Sequence, residues 1–132
     1  MELLTGVHRA TPIEAEEVRR RAAEIGAPIY LLSTLGASSR ADLFNRVRES
    51  LPLDPPVVGN TVIDALSDSL WGGLYSAGRE TVVVIWEGSS DLAKNAPKEF
   101  EITLEMFRDI ASTVAQPKYT GGQPKSVCVY LV

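Results

Sequence analysis

Apolar positions along this chain recur with two different periods, and the switches between them mark its elements. Thr11-Pro12-Ile13-Glu14 opens the first helix: Thr11 can cap it, Pro12 suits its first position, and Glu14 stands where a capping box needs it. Ala15 to Ile25 is rich in strong helix formers, and Gly26 is a natural stop. Because this helix is largely charged, it is expected on the outside. Ile29-Tyr30-Leu31-Leu32, within Pro28 to Ser33, is an apolar run of strand length broken by Gly36. Ser38 to Asp42 opens a second helix, with Leu43, Phe44, Val47 and Leu51 at helical spacing. Pro52-Leu53-Asp54-Pro55-Pro56 cannot be helical and reads as a rigid loop.

Gly59-Asn60-Thr61 leads into a third helix, with Thr61 and Asp64 as a weak capping signal. Ile63, Leu66 and Leu70 form its apolar stripe, and Gly72-Gly73 is expected to end it. Thr81 to Trp86 is a continuous, β-branched run, as expected of a central strand buried on both faces. Gly88 to Ala96 reads as a loop. Pro97 begins a fourth helix carrying Phe100, Thr103, Leu104, Phe107, Ile110, Ala111 and Val114 at helical spacing. Gln116 to Lys125 is a loop and Ser126 to Leu131 a last strand. Strands separated by helices predict an α/β fold with a small parallel sheet covered by helices.

A chain of 132 residues fits a single domain, 1–132. Its one cysteine, Cys128, excludes an internal disulfide. There is no apolar run long enough to span a membrane and no leader pattern in Met1 to Ile13, so a cytoplasmic protein without a membrane partner is expected. The net charge of −4 argues against nucleic acid as a direct partner. Its distribution says more. Arg48 to Arg79 encloses a window without Lys or Arg that contains Glu49, Asp54, Asp64 and Asp68. That window is either a charge-poor buried segment or an acidic face that attracts a basic partner.

Candidate catalytic chemistry is thin. His8, the one histidine, lies in an N-terminal segment expected to be loose, so nucleophilic triads lack support. Cys128 falls in a predicted buried strand and reads as core. A metal site lacks its Cys/His cluster, and Gly72-Gly73 and Gly121-Gly122 lack the spacing and Lys of a phosphate loop; neither metal nor cofactor is expected. Asp64 and Asp68, four apart, share one side of a helix, either as a solvated face or as a carboxylate pair for acid/base work, for which two carboxylates without other converging polar groups rarely suffice. Trp71 reads as core or as an interface anchor, and Trp86 as core.

Several segments then fall into the order of one family. Asp64-Ala65-Leu66-Ser67-Asp68-Ser69-Leu70 resembles the barstar helix that begins Asp-Ala-Leu and continues Trp-Asp. Gly59 and Asn60 resemble the Gly and Asn of the loop before it. Val82 to Trp86 resembles the central strand, Leu104 to Ala111 with Phe107-Arg108-Asp109 the last helix, Val127 to Val132 the closing strand, and Ser38 to Leu53 the first helix and its Leu-Pro. The resemblance runs from about Ile29 to the end; it implies a three-stranded parallel sheet flanked by helices and leaves 1–27, with the first helix, as an N-terminal extension.

This resemblance implies a barstar-like fold and a protein that is not an enzyme but an intracellular inhibitor. Its partner would be a small secreted guanyl-specific ribonuclease, bound one-to-one with an acidic helix and its loop in the active site. Carried over, Asp68 takes the phosphate position among the enzyme's basic groups. Asp64 is the second helix aspartate, Gly59 the loop glycine, Asp109 the acidic residue on the last helix, and Gly72 the glycine closing the binding helix. The departures are also informative. Ser67 replaces the family Trp, and a Trp returns at Trp71. The loop from Gly59 to Asp64 is one residue longer, which leaves the role of Asn60 open, and Val57-Val58 replaces two tyrosines. These changes point to a nuclease other than barnase. The alternatives are a barstar-like interaction or immunity module with a non-ribonuclease partner, and a small enzyme, for which convergent catalytic groups are missing.

Overall fold

Four parallel strands form the centre of the molecule, which a computed structural model describes over residues 1–78 and 80–132. They are β1 (Gly6–Arg9), β2 (Ile29–Ser33), β3 (Thr81–Glu87) and β4 (Ser126–Leu131), in the order β1-β4-β3-β2. The helices are α1 (Pro12–Ile25), α2 (Arg40–Ser50), α3 (Ile63–Ala77), α4 (Ser89–Asn95) and α5 (Pro97–Val114).

The α/β class and the parallel sheet stand, but the sheet has four strands where three were expected. The N-terminal segment is not loose: Gly6 pairs with Cys128 and Arg9 with Leu131 along the free edge of β4. Gly-Val-His-Arg is short, half-buried and weakly β-branched, so it gives little strand signal by itself. The paired ladder of β4 supplies what its propensity lacks.

The two faces of the sheet follow from the pleat. Val82, Val84 and Trp86 of β3 point to the face covered by α2, α3 and α5, where they join Val127, Val129 and Leu131 of β4. Val83 and Ile85 point the other way, with Cys128 and Tyr130, and meet Val18 and Ala22 of α1. Both faces are dry, which is why β3 and β4 read as unbroken apolar runs.

Local signals explain most element ends. Thr11 Oγ1 accepts from the Glu14 amide at 3.1 Å while the Thr11 amide donates to Glu14 Oε1 at 2.9 Å, a complete capping box. Ser39 Oγ accepts from the Asp42 amide at 3.1 Å and starts α2. Three expectations fail locally. Residue Val62, not Thr61, caps α3, and no side chain bonds there. The stretch read as a loop from Gly88 to Ala96 contains α4, a helix too short to show a period. The third is the end of α3, which passes through Gly72-Gly73 and continues to Ala77.

The reason α3 tolerates two glycines is the loop after α2, which lies across it. A Cβ at Gly72 would sit 2.4 Å from the Asp54 carbonyl oxygen, and one at Gly73 1.9 Å from that of Pro52. The glycines are there for close approach of backbone, not for a turn. Among the described residues no helix is long and apolar enough to cross a membrane.

Candidate functional site

Leu66, Leu70 and Leu74 bury one side of α3 against the sheet, so the side bearing Asp64 and Asp68 must face solvent. The back of the helix is tied down by the loop: the Asp54 amide donates to the Ser69 carbonyl at 2.9 Å, and the Ser69 hydroxyl donates to the Pro55 carbonyl. The aspartates are thereby displayed on a fixed support. Asp64 also lies in the first turn, where the helix dipole favours a negative charge.

A groove runs between α3 and α5. It consists of two adjoining hollows of about 310 and 380 Å³ that share Ser67 and Asp109 in their walls. Ile63, Ile102, Met106 and Ile110 contribute apolar wall, and Asp64, Asp68, Glu101, Glu105 and Asp109 contribute carboxylates. Glu101, Glu105 and Asp109 succeed each other every fourth residue of α5, and like charges at that spacing repel by a few tenths of a kcal/mol, roughly, per pair. Among the described residues none of the five carboxylates has a cation within 4.0 Å. The groove is thus an apolar trough with an uncompensated acidic rim. Chemically it suits a side chain with an apolar stem and a cationic head.

Trp71 closes one end. Its Nε1 donates to Thr113 Oγ1 of α5 at 2.7 Å, and its ring stacks on Tyr75 with centroids 5.2 Å apart and planes 15° apart. The indole is half-buried, so it is both a strut between α3 and α5 and part of the groove wall. Lys125 Nζ backs this stack, 4.4 Å from the Tyr75 ring centroid.

The loop entering α3 presents Val58, which is 97% exposed, and Val62. Gly59 adopts φ +91°, which favours glycine although the space beside it is open. Asn60 does not point free into solvent: its Oδ1 accepts from Arg48 Nη2 at 2.9 Å.

Of the residues singled out in the sequence, the fold brings Asp64, Ser67, Asp68, Trp71 and Asp109 around one groove. Gly59 and Asn60 lie in the adjoining loop. Gly72 neither closes the helix nor lines the groove; it faces Asp54. The sequence reading missed Glu101, Ile102, Glu105 and Met106, although the fourfold acidic spacing on α5 was visible. His8 Nε2 bonds the Thr5 carbonyl at 2.9 Å, outside the groove. Cys128 is fully buried, and burial pushes its thiol above the ordinary value. Among the described residues no group of three or more His, Cys, Asp or Glu is placed to hold a metal.

Comparison with curated proteins and with solved structures found no match. The family described as Barstar (barnase inhibitor) matches residues 28–129, which takes in β2, β3, most of β4, both groove helices and the loop before α3. Together with the parallel sheet and the acidic helix standing in its expected place, that match shows that the chain belongs to the barstar family.

Proposed function

We propose that this chain inhibits a small secreted guanyl-specific ribonuclease by forming a one-to-one complex. The first turns of α3 and the loop from Val57 to Val62 enter the active site. Members of the family are inhibitors rather than enzymes. The observation that carries the reading is the set Asp64, Asp68 and Asp109 around one groove, with no cation beside them among the described residues.

A ribonuclease holds a phosphate with Arg, Lys or His. Asp68, on a helix that needs no rearrangement, takes that position and accepts several charge-assisted hydrogen bonds. Glu101, Glu105 and the other carboxylates raise the encounter rate with a basic enzyme, most strongly at low salt. Residues 1–132 act as one unit, with 1–27 as an extension that supports the sheet. Protection of a cell from its own secreted nuclease places this activity in the cytoplasm.

Calorimetric titration into a panel of small guanyl-specific ribonucleases, alongside RNA cleavage, tests the proposal. Tight one-to-one binding with loss of cleavage is expected. Asp68→Ala weakens it roughly a hundredfold or more, because the enzyme's basic groups are left buried and unpaired. Asp64→Ala and Glu49→Ala cost much less. Equal losses at all three positions point instead to diffuse charge attraction. Absence of binding across the panel transfers the groove, opened by Ser67, to a non-ribonuclease partner.

A further inference from the structure

Resting on the inhibitor reading, we propose that Arg48 is a positioning residue that holds the partner-facing loop before α3 in its binding shape. Between Pro55 and Thr61 no backbone-to-backbone hydrogen bond forms among the described residues. Side chains hold this segment instead, and Arg48, at the end of α2, supplies most of the ties. Its Nε donates to the Val57 carbonyl at 3.1 Å, and its Nη2 donates to the Gly59 carbonyl and, at 2.9 Å, to Asn60 Oδ1. Its Nη1 donates to Asn45 Oδ1 at 3.0 Å, which fixes the guanidinium on α2. Arg40 adds one longer bond, 3.3 Å to the Thr61 carbonyl, and is shared with Glu99.

The planar fork matters because four acceptors, three on the loop and Asn45 Oδ1 on α2, are engaged at once from three nitrogens, more than the three donors of one ammonium. A loop without these ties must be ordered on binding, and that ordering opposes association. The charge of Arg48 argues against a role in attraction. A cation next to an acidic face repels a basic partner, so its electrostatic effect and its positioning effect have opposite signs.

Backbone ¹⁵N relaxation of the free protein reads the loop directly. Order parameters of Val57 to Thr61 are expected near 0.85 in the unmodified chain and below about 0.6 in both Arg48→Ala and Arg48→Lys, with β3 unchanged. Unchanged loop order in Arg48→Ala, or full restoration by Lys, overturns the proposal. With a ribonuclease that binds the unmodified chain, Arg48→Ala raises the dissociation rate about tenfold while the association rate holds or increases. Equal or tighter binding overturns it, since removal of a charge alone predicts that result. If no ribonuclease binds, the inhibitor reading fails, while the order parameters still decide whether Arg48 holds the loop.

Discussion

Ser67 sets the depth of the groove. It lies between Asp64 and Asp68 along α3 and is the one α3 residue that lines both hollows. A large ring there would fill the space between α3 and α5. Ser67→Trp is therefore expected to leave the melting temperature nearly unchanged, since the ring enters open space. It should weaken binding of the partner by tenfold or more if that partner inserts a side chain. Thermal melts and titration of the same preparation separate the two effects. The spacing of Asp64 and Asp68 was legible because helical periodicity alone places them together. Arg48 was not, because its acceptors at Val57, Gly59 and Asn60 are defined by how the loop folds back over α2.

Helix α3 shows how an element outlasts its local breakers. Gly72 and Gly73 each disfavour a helix by about 1 kcal/mol, yet the helix continues to Ala77 because the loop at Pro52 to Asp54 packs on them. Gly73→Ala gains that helix propensity but drives a Cβ into the Pro52 carbonyl group, where backbone cannot give way. The clash wins, and a net loss of about 2 kcal/mol is expected in urea unfolding. Ser76→Ala, at an exposed position on the same helix, should stay within about 0.5 kcal/mol. Strand β1 is the converse case: four residues with weak propensity become a strand because β4 offers them an edge.

Over the whole molecule the sheet divides two separate cores, and the smaller depends on the N-terminal residues. Val18 and Ala22 of α1 cover Val83, Ile85, Cys128 and Tyr130, and the Leu4 amide donates to Tyr130 Oη at 2.8 Å. These N-terminal residues precede the part matched by the family. Deletion of residues 1–27 would uncover that face, and each fully exposed apolar side chain forfeits roughly 1.5–3 kcal/mol. Against the ~5–15 kcal/mol of a typical domain this is a large share. The truncated chain is expected to melt far lower, bind a hydrophobic dye and expose Cys128 to a thiol reagent. In the full chain the thiol is both covered and raised above its ordinary value, so little thiolate forms at neutral pH. An unchanged melting temperature and an unreactive thiol after truncation would show that α1 is dispensable to the fold.

The sequence alone determined the α/β class, the capped helices α1 and α2, the buried strands β3 and β4, the apolar stripe of α5 and the pairing of Asp64 with Asp68. All of these rest on contacts within a few residues or on a repeating period. The tertiary structure decided the rest: the fourth strand, the passage of α3 through two glycines, the groove walled by Glu101, Ile102, Glu105 and Met106, and the hold of Arg48 on the loop. Each depends on what a distant segment places beside a residue; even the regular acidic spacing of α5, visible in the sequence, does not say which element it faces.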